Sequence, residues 1–183
     1  MSWTVLGTLD AVPAPDRPDL LAGPVAAAIA ALGDDAARIG VAEIDPDLAD
    51  TAAFCDAYGS PPEVSANCVV VAGKRSGETR YAACLVLATT RADVNGVVKR
   101  KLDVRKASFA PMDTAVELTG MEYGGITPLG LPEGWPLWLA PEVAAAEAVV
   151  VGSGIRGSKL AVPGVVLTAL PGAEVVEDLA RPA

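Results

Sequence analysis

The stretch "EYGGITPLGLP", residues 122–132, restricts what this chain can fold into more than any other part of it. Gly124, Gly125, Pro128 and Gly130 crowd together there. Glycine gives up helix and strand propensity for access to positive φ, and proline fixes φ and removes a donor. Neither suits a helix interior or a central strand. The stretch therefore reads as a rigid loop whose backbone N–H and C=O groups form a rim. A ligand can approach such a rim closely. The plainer alternative is a turn joining a helix at 112–120 to a strand at 136–140, but a turn needs only one or two such residues.

The surrounding pattern places that loop in an α+β fold. The chain has 183 residues, enough for one domain with a sizeable core. Three prolines mark residues 1–18 as an extended arm. Residues 19–50 then carry an Ala-rich helix (20–33) and a strand (38–44). From 51 to 183 the chain reads as the main globular unit, all of it one domain overall. A helix at 45–59 is capped by Asp50 or Thr51 and stopped by Gly59. Strands at 67–73 and 81–89 flank a hairpin turn at 74–80. A helix at 91–104, a short strand at 106–110 and a helix at 112–120 precede the glycine loop. Strands at 136–140, 146–152 and 158–163 follow, with a helical turn at 141–145, a helix at 164–172 and a closing strand at 173–179. No regular β-α-β alternation appears, which favours α+β with hairpins over a doubly wound sheet.

Composition removes several functions. Hydrophobic residues make up 51% and aromatics only 4%, so the core is aliphatic and few rings remain for base stacking. The net charge is −9, unlike a protein that coats DNA. Histidine is absent, which excludes Ser-His-Asp and Cys-His sites and the commonest zinc sets. Cys55, Cys68 and Cys84 lie far apart, with no C-x-x-C pair. No metal or cofactor is expected. No signal peptide or membrane span is legible, so the expectation is a cytoplasmic protein with reduced thiols.

Three further features carry chemistry. "GSGIRG", Gly152 to Gly157, matches G-x-G-x-x-G after an apolar strand. A dinucleotide fingerprint must open a helix, and Pro163 and Gly164 leave little room for one. A glycine-rich hairpin near a ligand fits better, with Arg156 offering forked donors to a phosphate or carboxylate. "KRKLDVRK", 99–106, is the one dense basic run. It is either a solvated face or a contact for RNA phosphates. Cys68 is either a small core residue or a thiol lining a pocket. No histidine activates it, so a thiolate nucleophile would need a nearby Lys or Arg.

These residues resemble a known family, the YbaK/EbsC or prolyl-tRNA-synthetase-associated domain, which edits mischarged aminoacyl-tRNA. The likeness runs from about Thr51 to Asp178. "LTGMEYGGITPLG" resembles the family's T-G-x-x-x-G-G-[VI]-x-P-[FL]-G stretch. "VVVGSGIRGSKL" resembles its Gly-rich hairpin, "TAAFCDAYG" an early helix, "VRKAS" the segment before the second helix, and "EVVEDL" its closing strand. The resemblance implies a mostly antiparallel, partly closed mixed sheet flanked by helices. It implies a pocket for the aminoacylated 3′ end of tRNA and hydrolysis of the aminoacyl ester, with an aminoacyl-tRNA synthetase as a further partner.

On this reading Asn67, Gly124 and Gly125 do the catalytic positioning, Asn67 orienting the ester or a water. Ile126, Thr127 and Pro128 frame the amino-acid pocket with Cys68. Gly152, Ser153, Gly154, Arg156 and Gly157 hold the terminal nucleotide. Many members of the family place a Lys at the start of the strand that reads "NCVVV" here, and this chain has Asn67 and Cys68 instead. Lys106, with Ser108 on the same short strand, is the expected substitute. Three readings stand at this point: a deacylase acting on Cys- or Ala-tRNA(Pro)-like substrates, a binding module that kept the fold without the chemistry, and a nucleotide-cofactor enzyme built on "GSGIRG".

Overall fold

Valine, alanine and leucine dominate residues 66–87, and this run builds the longest hairpin of the molecule. The computed structural model describes residues 3–183. In chain order its elements are β1 (Val12–Pro13), α1 (Gly23–Ala30), β2 (Gly40–Glu43), α2 (Thr51–Tyr58), β3 (Ala66–Arg75), β4 (Glu78–Leu87) and β5 (Thr90–Ala92). A π-helical turn (Val94–Val98) then leads into α3 (Lys99–Leu102). β6 (Ala107–Phe109), α4 (Met112–Thr119), β7 (Leu137–Leu139), α5 (Pro141–Ala145), β8 (Val149–Gly152), β9 (Ser158–Val162), α6 (Gly164–Thr168), β10 (Ala173–Val175) and β11 (Ala180–Pro182) complete the chain.

The strands form a five-stranded sheet in the order β10-β7-β4-β3-β6, a four-stranded sheet in the order β1-β2-β9-β8 and a separate antiparallel pair, β11-β5. The first is mixed: β10/β7 and β7/β4 run parallel, β4/β3 and β3/β6 antiparallel. The second is antiparallel throughout. One bridge, Ser65 to Val150, joins them, so the sheet system is partly closed. Val71, Leu85, Leu129, Leu139, Val151 and Leu160 fill the space inside, all buried. The expected α+β class, with a mostly antiparallel mixed sheet flanked by helices, is the observed one.

Several boundaries differ from the sequence pattern, each for a local reason. The β3–β4 turn is only Ser76-Gly77, both at positive φ (53° and 80°), the geometry of a two-residue hairpin loop. The expected helix 45–59 starts at Thr51, because the Asp45 carboxylate accepts from the Asp47 N–H and closes a separate turn at 46–48. Gly59 ends it at φ 68° as expected. The expected helix 91–104 begins as strand β5 and then a π turn. The Asp93 carboxylate accepts from the Val97 N–H at 3.1 Å and folds over Gly96, where a Cβ would collide with it. The expected N-terminal arm, from residue 3 onward, packs on the body: Leu6 and Ala14 are fully buried and β1 pairs with β2. Met1 and Ser2 lie outside the described residues.

Candidate active site

The two sheets are joined through Ser65 and Val150, and both residues line a cleft of about 440 Å³. Its walls come from the start of β3, the end of β8, the first turn of α2, the β6–α4 connection and the glycine loop. The polar groups facing it are Asp50, Thr51, Ser65, Asn67, Cys68 and Lys159. Phe109 and Tyr123, the two exposed aromatic side chains among the described residues, stand at its mouth.

Two glycine-rich loops hold one wall. The Glu122 N–H donates to the Gly154 carbonyl at 2.8 Å, and the Gly154 N–H donates to the Gly125 carbonyl at 2.7 Å. The Arg156 N–H donates to Glu122 Oε1 at 2.9 Å, and its guanidinium donates to the Tyr123 carbonyl at 3.3 Å. This interlock requires the glycines. Gly124 sits at φ 79°, and a Cβ on Gly125 would come within 2.9 Å of the Ile155 backbone. The opening loop is therefore more than a connector, since it forms the cleft edge and is braced by the second loop.

Lys159 is the residue that the sequence pattern did not single out. It lies on β9, every residue of which is buried, and is itself 8% exposed. Its Nζ stands 5.6 Å from the centre of the Phe54 ring and makes no hydrogen bond or ion pair among the described residues. Burial pushes its pKa below the ordinary 10.5, the nearby Arg156 charge adds to that, and Asp50 and Cys55 oppose it. A buried, unpaired ammonium is costly unless an anion meets it. The one available signal was a lysine placed inside a short, wholly buried strand, "SKLAV".

Asn67 lies in the cleft, where its Oδ1 accepts from the Thr51 hydroxyl at 3.0 Å. That bond orients the carboxamide and leaves its amide nitrogen without a partner among the described residues. Cys68 lies beside it, but burial, with Cys84 contributing, pushes its thiol far up, and burial likewise pushes Cys84 to about 12. Neither behaves as a thiolate at neutral pH.

Of the expected site residues, Asn67, Cys68, Gly124, Ile126 and Gly152 line the cleft. Gly125 is buried behind the rim, and the Gly157 carbonyl accepts from the Ile44 N–H. Thr127 and Pro128 are buried beneath the loop rather than facing the cleft, with Thr127 Oγ1 unpartnered. Ser153 is fully buried and exchanges hydrogen bonds with Ile155 and Ser158, so it braces the hairpin and does not reach a ligand. Gly154, at φ 88°, packs on Ala22 and Val25. Arg156 sits at the rim, 5.8 Å over the Tyr123 ring and 3.9 Å from Asp50. Lys106 and Ser108 line a different groove, so Lys106 is not the cation of this cleft. "GSGIRG" joins β8 to β9 as an antiparallel hairpin and opens no helix, which overturns the dinucleotide fingerprint. Among the described residues no carboxylate or thiol cluster of metal-binding size occurs, and no helix is long and apolar enough to cross a membrane.

Fold and cleft together define a class: a mixed-sheet α+β domain with a ligand cleft framed by two interlocked glycine loops. A family model described as the aminoacyl-tRNA editing domain matches residues 45–170. The chain belongs to this family of aminoacyl-tRNA editing domains. Solved structures agree on the fold. One is a candidate trans-editing enzyme for prolyl-tRNA synthetase, at TM-score 0.71 and 22% identity over 85% of this chain and 94% of that one. A scaffold from computational epitope grafting matches at TM-score 0.71 and 22% identity, over 85% and 95%. A hypothetical protein matches at 0.67 and 20%, over 77% and 90%. No curated protein matches the chain by sequence.

Proposed function

We propose that this domain hydrolyses the ester of mischarged aminoacyl-tRNA, acting in trans on Cys- or Ala-tRNA(Pro)-like substrates. The observation that carries the reading is Lys159, a buried cation without an ion-pair partner among the described residues, in the cleft of an editing-domain fold. On this reading it supplies from β9 the positive charge that the family resemblance leads one to expect at the start of β3, where this chain has Asn67 and Cys68.

In this mechanism the aminoacyl carbonyl lies between Lys159 and the Asn67 amide nitrogen. A water adds to the carbonyl carbon, and the carbonyl oxygen becomes an oxyanion facing the Lys159 ammonium. A preorganised charge aimed at that oxygen in a partly dry site lowers the barrier most at the transition state. The C–O bond to the ribose then breaks, and a proton from the attacking water ends on the ribose hydroxyl. No enzyme nucleophile takes part, which accords with the raised Cys68 pKa and the absence of histidine. Gly124 and Gly152 let the amino-acid moiety approach the backbone.

The test is deacylation of alanyl-, cysteinyl- and seryl-tRNA(Pro), with prolyl-tRNA(Pro) as control. Hydrolysis of one mischarged species with the control spared supports the proposal and names the substrate. A folded protein that binds these RNAs without hydrolysing any of them is a binding module instead.

A further inference from the structure

The basic run 99–106 does not behave as one unit in the fold. Lys101 pairs with Glu174 at 3.0 Å, and Asp103 turns back to Arg75 and Arg80. Arg105 and Lys106 instead join Lys74 in a separate groove of about 560 Å³. No carboxylate lines this groove, and none of its three cations makes an ion pair among the described residues. All three side chains are exposed.

The sheet register brings two of these cations close together. β6 pairs with β3 through Ala72↔Ser108 and Gly73↔Ala107. Lys74 and Lys106 each lie one residue past the last pair of this register, Gly73↔Ala107, and both line the groove. Like charges facing each other across strands repel. In a chain of net charge −9, a groove that concentrates unpaired cations fits an anionic ligand. Its aromatic wall is Tyr81, whose ring stacks on Trp135 at 5.3 Å and 14°.

The groove also lies next to the cleft. Side chains alternate along an edge strand, and on β6 Ser108 faces the groove while Phe109 faces the cleft. Beyond the strand, Pro111 lines the groove while Ala110 and Met112 line the cleft. Consecutive Cα atoms are about 3.8 Å apart, so a chain leaving the cleft over Phe109 crosses one strand edge to reach the cations.

We propose that Lys74, Arg105 and Lys106 form a phosphate-binding groove for the RNA backbone immediately behind the 3′ end held in the cleft. The proposal rests on the deacylase reading for the identity of the RNA, but its test does not need turnover. Fluorescence anisotropy would compare two probes on the full chain, a labelled CCA trinucleotide and a labelled acceptor-stem minihelix ending in CCA. Every cation that stops meeting a phosphate flattens the slope of log affinity against log salt by close to one unit. The triple variant K74E/R105E/K106E should bind the minihelix at least ~10-fold more weakly, with a slope shallower by about 2, and bind the trinucleotide as the parent does. If the triple variant loses its circular dichroism, K74E and K106E singly should each reduce the slope by about 0.7.

Unchanged minihelix affinity and slope would overturn the proposal, as would equal weakening of both probes or a parent that binds neither. Groove-dependent binding to phosphatidylserine vesicles, with minihelix binding intact, would also overturn it and assign the groove to a lipid surface. A parent that hydrolyses no mischarged tRNA but shows the groove-dependent slope would remove the deacylase reading alone.

Discussion

The Lys159 ammonium lies 5.6 Å from the centre of the Phe54 ring, buried between β9 and α2 at the back of the cleft. The ring face attracts the charge, and no acid side chain among the described residues bonds it. Such a cation lowers stability in the free protein and becomes useful only when a negative oxygen arrives.

Lys159→Met keeps the stem that packs on Phe54 and removes the charge. Deacylation should fall by about 10²–10³-fold, the usual effect of losing one oxyanion donor. Lys159→Arg should retain part of the activity. Rates on a mischarged tRNA(Pro), corrected for spontaneous ester hydrolysis, decide this. Equal rates for parent and Met variant would exclude the role.

The same variant should be more stable than the parent at neutral pH. Because the folded pKa of Lys159 is lowered, the unfolded chain binds more protons between that value and 10.5. The stability penalty is thus fully present below the lowered pKa and is relieved as pH rises through it toward 10.5. Urea unfolding at a series of pH values should show the Met variant's advantage shrinking on the alkaline side. An advantage that grows with pH would contradict this assignment.

Gly125→Ala should damage the cleft from behind. The added methyl meets the Ile155 backbone at 2.9 Å, where no side-chain rotation can relieve it. Overpacking of this kind costs roughly 1–3 kcal/mol. The interlock with Gly154 loosens, so stability and turnover fall together. Gly124→Ala meets the flexible end of Arg156 instead, and its main cost is the positive φ, about 1 kcal/mol. Denaturant midpoints of the two variants test the order.

Cys68→Ala should keep deacylation within a few-fold, because the half-buried thiol is held protonated. Iodoacetamide should label Cys68 in the unfolded chain far faster than in the folded one, read by mass spectrometry. Loss of all turnover in Cys68→Ala, with the fold intact, would restore the thiol as a participant.

Thr51→Val removes the hydroxyl that donates to Asn67 Oδ1 at 3.0 Å. A hydrogen bond of this kind is worth about 1 kcal/mol, so kcat should drop several-fold to roughly tenfold. Asn67→Ala should be worse, and the double variant no worse than Asn67→Ala alone. Additive effects would mean that Thr51 acts apart from Asn67.

Local sequence was enough to establish the glycine and proline punctuation, the α+β class and the chemistry that a chain without histidine cannot perform, and it pointed to 122–132 as a rigid loop that a ligand can approach. Gly59 and Gly120 end their helices at positive φ because nothing else fits there as cheaply. Asn67 was singled out through the family resemblance, at the strand start where many members carry a Lys, and the fold sets it in the cleft lining. Which polar residues meet was settled by long-range packing. Lys159 is distant in sequence from Asn67 and Phe54, and only the pairing of β8 with β9, and the bridge from Val150 to Ser65, set them around one cleft. Lys106 and Phe109 lie on or beside one short strand, yet they serve different surfaces, because the pleat sends neighbours to opposite sides. Ser153 looked like a ligand residue by its motif and became a brace, because the fold brought Ser158 within 2.6 Å of it. Periodicity reports which face a residue occupies along its own element, and a site is made of faces from several elements whose meeting depends on contacts between distant parts of the chain.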